Sequence, residues 1–317
     1  MAHRRIGQEQ LAPAVKTQRK SPLEELSVVV DWTPVAALMG SIYTQPKGEA
    51  ARPPLAMFKA LLLAVWYDLS DVKLAEALDD RASFRRFCGF STSEPTPERT
   101  AFVRFRSVLV SQGLNKQLFA LITAPLKAKA ITVKTGTLVD ATIIASASQG
   151  DEDARWVKHK KRPAVHGFKA HVGADADTAL VEELDVTPAN VNDGKAGFGA
   201  LPENPGEVFA DSAYRADHFR QAVRARGGTP RIVATATWGI DEEKTLALLD
   251  AWNQPIHHVR ARIEKIFGTW KRSYGLRRMR WRGLPKATAQ VHLTAIAYNC
   301  KRTVKILASS APSFSAV

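Results

Sequence analysis

Residues 137–146 read TLVDATIIAS, a β-branched apolar run with one carboxylate, Asp140, at its middle. Strand alternation puts Val139, Ala141 and Ile143 on one face, and Leu138, Asp140, Thr142 and Ile144 on the other. Both faces are largely apolar, the pattern of a central strand covered by helices on both sides. An aspartate suits such a strand poorly, by β-propensity and by desolvation. It persists there at an exposed edge, in an ion pair, or as a ligand of a metal ion.

The stretches after it carry mixed strand and helix signals. A polar, charged connection follows at 147–163. HGFKAHVGADADTALVEELDVTP reads as a hairpin, with strands at 166–173 and 179–187 and a turn at Asp175–Asp177. NVNDGKAGFGALP is a short helix or irregular linker. EVFADSAY (207–214) is a short strand leading into Asp211. ADHFRQAVRARGG is a helix closed by Gly227–Gly228, and PRIVATA a fifth strand. Residues 238–256 give no clear pattern; 257–274 and 286–308 are helical. Three antiparallel strands followed by alternating helix and strand predict an α/β fold, a ribonuclease-H-like mixed sheet flanked by helices.

Upstream the periodicity is helical. Leu55, Phe58, Leu61, Leu62 and Val65 form one stripe, Ser70 caps a second helix, and Pro97 is placed to start another through TAFVRFRSVLVSQG. The expected organisation is a flexible N-terminus (1–21), an all-helical N-terminal domain (22–125), the α/β domain (131–308) and a flexible tail (309–317).

No apolar run approaches the ~18–20 residues that span a bilayer, and the N-terminus has no apolar core after its arginines, so neither a membrane span nor a signal peptide is expected. Two distant cysteines, Cys88 and Cys300, argue against a zinc or disulfide scaffold and suit a reducing cytoplasm. Both sit among apolar helical residues, as buried thiols do. The net charge of +14 is concentrated: residues 255–308 hold 13 Lys and Arg against one acid, Glu264, a net of +12. With Trp270, Tyr274 and Trp281 interleaved, this stretch is expected to bind nucleic acid rather than serve as a solvated helix face.

Two further carboxylates stand out. Asp211 ends its strand, where open α/β sheets place their sites, although a turn aspartate is equally common there. Glu264 lies about 100° around its helix from the stripe Ile263, Ile266, Phe267 and Trp270, bordering the core, with Arg260, Gly268 and Lys271 on its row. A surface ion pair with Arg260 or Lys271 would account for it; so would a role as the single acid kept as a ligand in a basic surface. Two Asp and one Glu could hold Mg²⁺ or Mn²⁺, hard cations that prefer oxygen. A pair of such ions about 4 Å apart can activate a water or 3′-hydroxyl on a phosphodiester.

VDATII with Asp140, FADSAY with Asp211, and RARIEKIFGTWKRSYGLRRMRWRGLPK with Glu264, in this order, resemble the three motifs of DDE transposases of bacterial insertion sequences, of the insertion-sequence-five group. HGFKAHVGAD, TPANVND and the helical stretches RPPLAMFKALLLAVWYDLSD, ASFRRFCGF and TAFVRFRSVL are similar to the rest of that group, so the resemblance spans about 22–305. It implies a ribonuclease-H-like core, Mg²⁺ (or Mn²⁺) bound by Asp140, Asp211 and Glu264, and strand cleavage and transfer at terminal inverted repeats. The implied partners are double-stranded repeat and target DNA and a second copy of the chain, at the nucleoid of a bacterial cytoplasm. Lys271 matches a basic position of the Glu motif. Lys158, Lys160, Lys161, Arg162, Arg260, Arg272, Arg277, Arg278, Arg280 and Arg282 are the other expected DNA contacts. The alternatives are a catalytically silent DNA-binding regulator and a nuclease on the same core. PTPERTAF departs from the turn expected before the last N-terminal helix, which concerns DNA recognition and not chemistry. His166 and His171, five residues apart on a strand, face opposite ways and are not expected to share a metal. Asp193 is expected as a helix cap.

Overall fold

A computed structural model of the chain describes residues 21–40, 42, 51–91, 94–131, 133–158, 163–235 and 242–310. The expectations for the extreme termini, and for Lys160, Lys161 and Arg162, lie outside these residues.

Seven helices come first: α1 (Pro22–Val29), α2 (Thr33–Met39), α3 (Pro54–Trp66), α4 (Asp71–Asp80), α5 (Ala82–Cys88), α6 (Arg99–Ser111) and α7 (Leu114–Ala130). Local chemistry sets their ends. Ser21 and Glu24 form a reciprocal capping box on α1, and the Ser70 hydroxyl accepts from the Lys73 N–H at 3.3 Å. Gly89, at φ +90°, closes α5 in the left-handed conformation. Pro97 precedes α6 by one residue more than expected, with Glu98 as the cap. Pro125 does not end α7, which runs on to Ala130. Helix α3 is buried on nearly all sides, which makes it the centre of this bundle.

A six-stranded sheet follows. β1 (Gly136–Ala145) lies at its middle, antiparallel to β3 (Val165–Asp175), which is in turn antiparallel to β4 (Val181–Pro188). β2 (Arg155–Val157), inside the stretch expected to be loop, shares the outer edge of β3. Three residues with no apolar alternation carry too little signal to announce a strand. On the other side of β1 come β5 (Glu207–Ala210) and β6 (Thr229–Ile232), both parallel. Between β4 and β5 stand α8 (Asp193–Ala196) and a 3₁₀ turn at Gly197–Ala200, and α9 (Asp217–Ala225) crosses from β5 to β6. The three antiparallel strands β1, β3 and β4, with β2 added at the edge of β3, two parallel ones and helices on both faces make the expected ribonuclease-H-like arrangement.

Two long helices come last among the described residues: α10 (Glu242–Ser273) and α11 (Leu284–Ser310). α10 begins well before the helical stretch expected at 257–274 and carries Pro255 within it. The proline leaves the Ala251 carbonyl without its helical donor, a cost that a long packed helix absorbs. One face of the sheet (Leu138, Ile144, Phe168, Val172) packs on Ile263, Ile266 and Trp270 of α10 and Ile296 of α11. The other face (Val139, Val208, Ala210) packs on Leu201, Tyr214, Phe219 and Val223.

Helix α11 joins bundle and sheet in one continuous core. The indole Nε1 of Trp66 donates to the Ala297 carbonyl at 2.8 Å. The fully buried Asn299 amide accepts from the Val181 N–H at 2.9 Å, and donates to the Val181 carbonyl at 2.7 Å and to Thr123 at 3.2 Å.

Candidate active site

Register decides where the first two carboxylates meet. In the parallel pair β1–β5, Gly136 stands opposite Glu207 and Leu138 opposite Phe209. The same offset, carried two residues past the last paired positions, leads to Asp140 in β1 and to Asp211, which lies just beyond the end of β5 as the cap of a 3₁₀ turn. Asp140 alternates with Leu138 and so points to the face that α10 covers. Arg260 of α10 reaches in from that side. Its Nη2 lies 2.9 Å from Asp140 Oδ2 and 4.0 Å from Asp211 Oδ2.

The two acids differ in setting. Asp140 is mostly buried; burial pushes its carboxyl up to about 6, the Arg260 charge and the Ala141 N–H hold it down in part, and Asp211 and Asp193 add to the rise. Asp211 is partly open to solvent, and its Oδ1 accepts from the Ala213 N–H at 2.9 Å, capping a 3₁₀ turn at Ser212–Tyr214. It is therefore a turn aspartate and a wall of the site at once. Beneath them the Tyr214 hydroxyl is buried with no hydrogen-bond partner, and burial, then the charges of Asp140, Asp193 and Asp211, push its phenol well above the usual value.

Glu264 stands one helical turn beyond Arg260, and it is exposed rather than bordering the core. Among the described residues no three His, Cys, Asp or Glu side chains stand close enough to hold one ion together. The structure thus brings Asp140 and Asp211 together around Arg260 and leaves Glu264 at the rim. Adjacent carboxylates whose charge is already met by a cation are a donor set suited to a hard divalent ion. To that extent the residues fit the expected metal.

Three neighbours were not foreseen in these roles. Asn192, not Asp193, caps α8; Asp193 pairs with the buried Lys169 at 2.7 Å, and Lys169 also donates to the Val191 carbonyl at 2.7 Å. This pins the NVND loop to β3 beside the site. Arg260 was expected at DNA and stands instead between two acids. A lysine or an arginine carries no mark in the local sequence of a carboxylate partner that folding brings from another element. His171 is buried, its Nε2 3.0 Å from the Thr187 hydroxyl, and burial pushes its imidazole down to about 4. His166 stacks at 5.3 Å on the exposed Trp156, so the two histidines share no site, as their spacing implies.

The basic segment after α10 is partly structural. Arg277 and Met279 bond through their backbones to Ala145, continuing the sheet on the side of β1 that β5 vacates. Arg280 binds Asp68 and the Leu69 carbonyl, and Arg282 donates to the Gly150 carbonyl at 2.5 Å. Asp151 and Asp153 from the β1–β2 loop accept from the Gly283 and Leu284 N–H groups at the start of α11. Lys158, Arg272, Arg277 and Arg278 are exposed, and Lys271 is half-buried. Of the interleaved aromatics, Trp270 and Tyr274 are core residues, and the half-buried Trp281 packs under Arg106 at 4.5 Å. Trp270 belongs to the buried stripe of α10, and Tyr274 and Trp281 follow the end of that helix.

Residues 131–300 match the family described as Transposase DDE domain, and residues 12–108 match that described as Transposase domain (DUF772). The chain is also similar to the piggyBac transposase of a synaptic complex with hairpin DNA solved by cryo-electron microscopy. The identity there is 10%, the TM-score 0.44, and the match covers 92% of this chain and 75% of that one. The chain belongs to the Transposase DDE domain family and is a DNA transposase.

Proposed function

We propose that the protein cuts and joins DNA strands at the terminal inverted repeats of its own insertion sequence, as a member of the insertion-sequence-five group. Asp140, Asp211 and Glu264 are the metal ligands in this reading. The observation that carries it is the convergence of Asp140 and Asp211 on one cationic partner, Arg260. Divalent ions, Mg²⁺ or Mn²⁺, would supply Lewis acidity to the attacking and leaving oxygens of the phosphodiester.

The chain's own residues supply the frame. β1 and the end of β5 carry the two aspartates, and α10 carries Glu264 one helical turn beyond Arg260. Lys158, Arg272, Arg277 and Arg278, which are exposed, and Lys271 would contact phosphates, which fix the register of DNA without reading its sequence. Two such chains would pair the two ends of the element, acting at the nucleoid of a bacterial cytoplasm.

The test is strand cleavage and joining on labelled DNA carrying the element's inverted repeat, with Mg²⁺, for wild type, Asp140→Asn and Glu264→Gln. The expected result is cutting at the repeat end and joining to target, both lost in each variant while repeat binding persists. Repeat binding with no cutting by the wild type would mean a regulator. Cutting without end preference or joining would mean a nuclease.

A further inference from the structure

The position of Arg260 has a consequence for how the site is filled. A guanidinium carries five N–H donors in a rigid fork. The chain shows how it seats one as a strut: Arg106 grips Asp71 with two bonds of 2.6 Å and lies over the Trp281 ring. Arg260 is held far less completely. Of its donors, Nη2 makes the hydrogen bond to Asp140 and stands 4.0 Å from Asp211, and Nε is buried without a partner. Its seat is set by charge more than by fit. It sits where two carboxylates converge, the place a cation ligated by both would need.

We propose that Arg260 is an internal counter-ion that occupies the carboxylate pair in the DNA-free chain, competes with the divalent cation for Asp140 and Asp211, and is drawn off by a DNA phosphate. The inference rests on the reading of Asp140 and Asp211 as metal ligands. Its physical content is a linkage. One positive charge cannot serve the acids and a phosphate at once, so anything that takes Arg260 away leaves two carboxylates in need of a cation. Phosphate and metal then favour one another's binding, by the same factor in either direction. Coupling of this kind typically amounts to about 5–150-fold. The site is in this way kept from full metal occupancy until a DNA backbone lies beside α10.

The test is Mn²⁺ titration of the full chain, followed by the electron paramagnetic resonance signal of free Mn²⁺, for wild type, Arg260→Gln, Arg260→Lys and Asp140→Asn, with and without inverted-repeat DNA. Without DNA, Arg260→Gln is expected to bind Mn²⁺ about 10-fold more tightly than wild type. Arg260→Lys, which keeps the charge and loses the fork, should fall between them, and Asp140→Asn should lose the binding. DNA should tighten Mn²⁺ binding by the wild type and leave Arg260→Gln unchanged. A thermal melt guards against a misfolded variant: metal-free Arg260→Gln should melt lower than wild type and gain more from Mn²⁺. Asp140-dependent binding that is equal or weaker in Arg260→Gln, or that DNA tightens equally in both, overturns the inference and leaves the metal site standing. Absence of any Asp140-dependent Mn²⁺ binding overturns both.

Discussion

Replacing Asp140 with Asn should stabilise the metal-free protein while removing its chemistry. The carboxyl is raised from 3.8 to about 6, first by burial and against the opposing pull of Arg260. In the unfolded chain it ionises near 3.8, so between 3.8 and about 6 the folded state holds a proton that the unfolded state has lost. Stability of the wild type therefore falls as pH rises through this window. Below 3.8 the penalty is absent, and above about 6 it is complete. Roughly two pH units at 1.36 kcal/mol each make it about 3 kcal/mol. Asn, a near-isosteric neutral group, escapes it. For a chain of 317 residues this corresponds to a rise of roughly 5 °C in melting temperature at pH 7.5. The assay is a thermal melt, or urea unfolding, of both proteins with EDTA at pH 5.0 and 7.5. The gap should be widest at pH 7.5, shrink by about half at pH 5.0, and narrow when Mn²⁺ is added, since only the wild type keeps both aspartates. An Asp140→Asn protein no more stable than wild type at pH 7.5, or a gap independent of pH, would refute the reasoning.

Asn299→Leu should lower the urea midpoint by an amount equivalent to about 3–5 kcal/mol, because the Val181 N–H and carbonyl would lose their partners inside the core; a loss under about 1 kcal/mol would show that β4 does not depend on this amide. Burial pushes both Cys88 and Cys300 up to about 12, so Ellman's reagent at pH 8 should find almost no reactive thiol in the native chain and two in guanidinium. Prompt reaction of the native protein would contradict the packing around α5 and α11. The double variant Arg277→Ala, Arg278→Ala should melt like wild type and bind DNA with a log–log salt slope smaller by about 1–2. An unchanged slope would remove this surface from the DNA interface.

Much of the architecture was open to reading in one dimension. The apolar run around Asp140, the hairpin after it and the alternating units through β6 announce a mixed sheet, because strand alternation and helical stripes are local consequences of side-chain period. The ordered Asp, Asp and Glu motifs pointed to the family for the same reason. Less local features were silent. β2 is too short to show a period. The first turns of α10 were obscured by Pro255, which usually marks a helix end and here sits inside a long packed helix.

By itself the sequence determined which segments alternate, which carboxylates stand at strand and helix positions suited to a site, and where positive charge accumulates. Only the tertiary structure decided how those pieces face one another. The β1–β5 register placed Asp140 beside Asp211 across 71 residues of chain. The packing of α10 on that face sent Arg260 between them and left Glu264 at the rim. The same packing turned Trp270 and Tyr274 into core and tied Arg280 to Asp68. These are outcomes of long-range burial and charge pairing, whose partners lie far apart in the chain and leave no periodic trace within it.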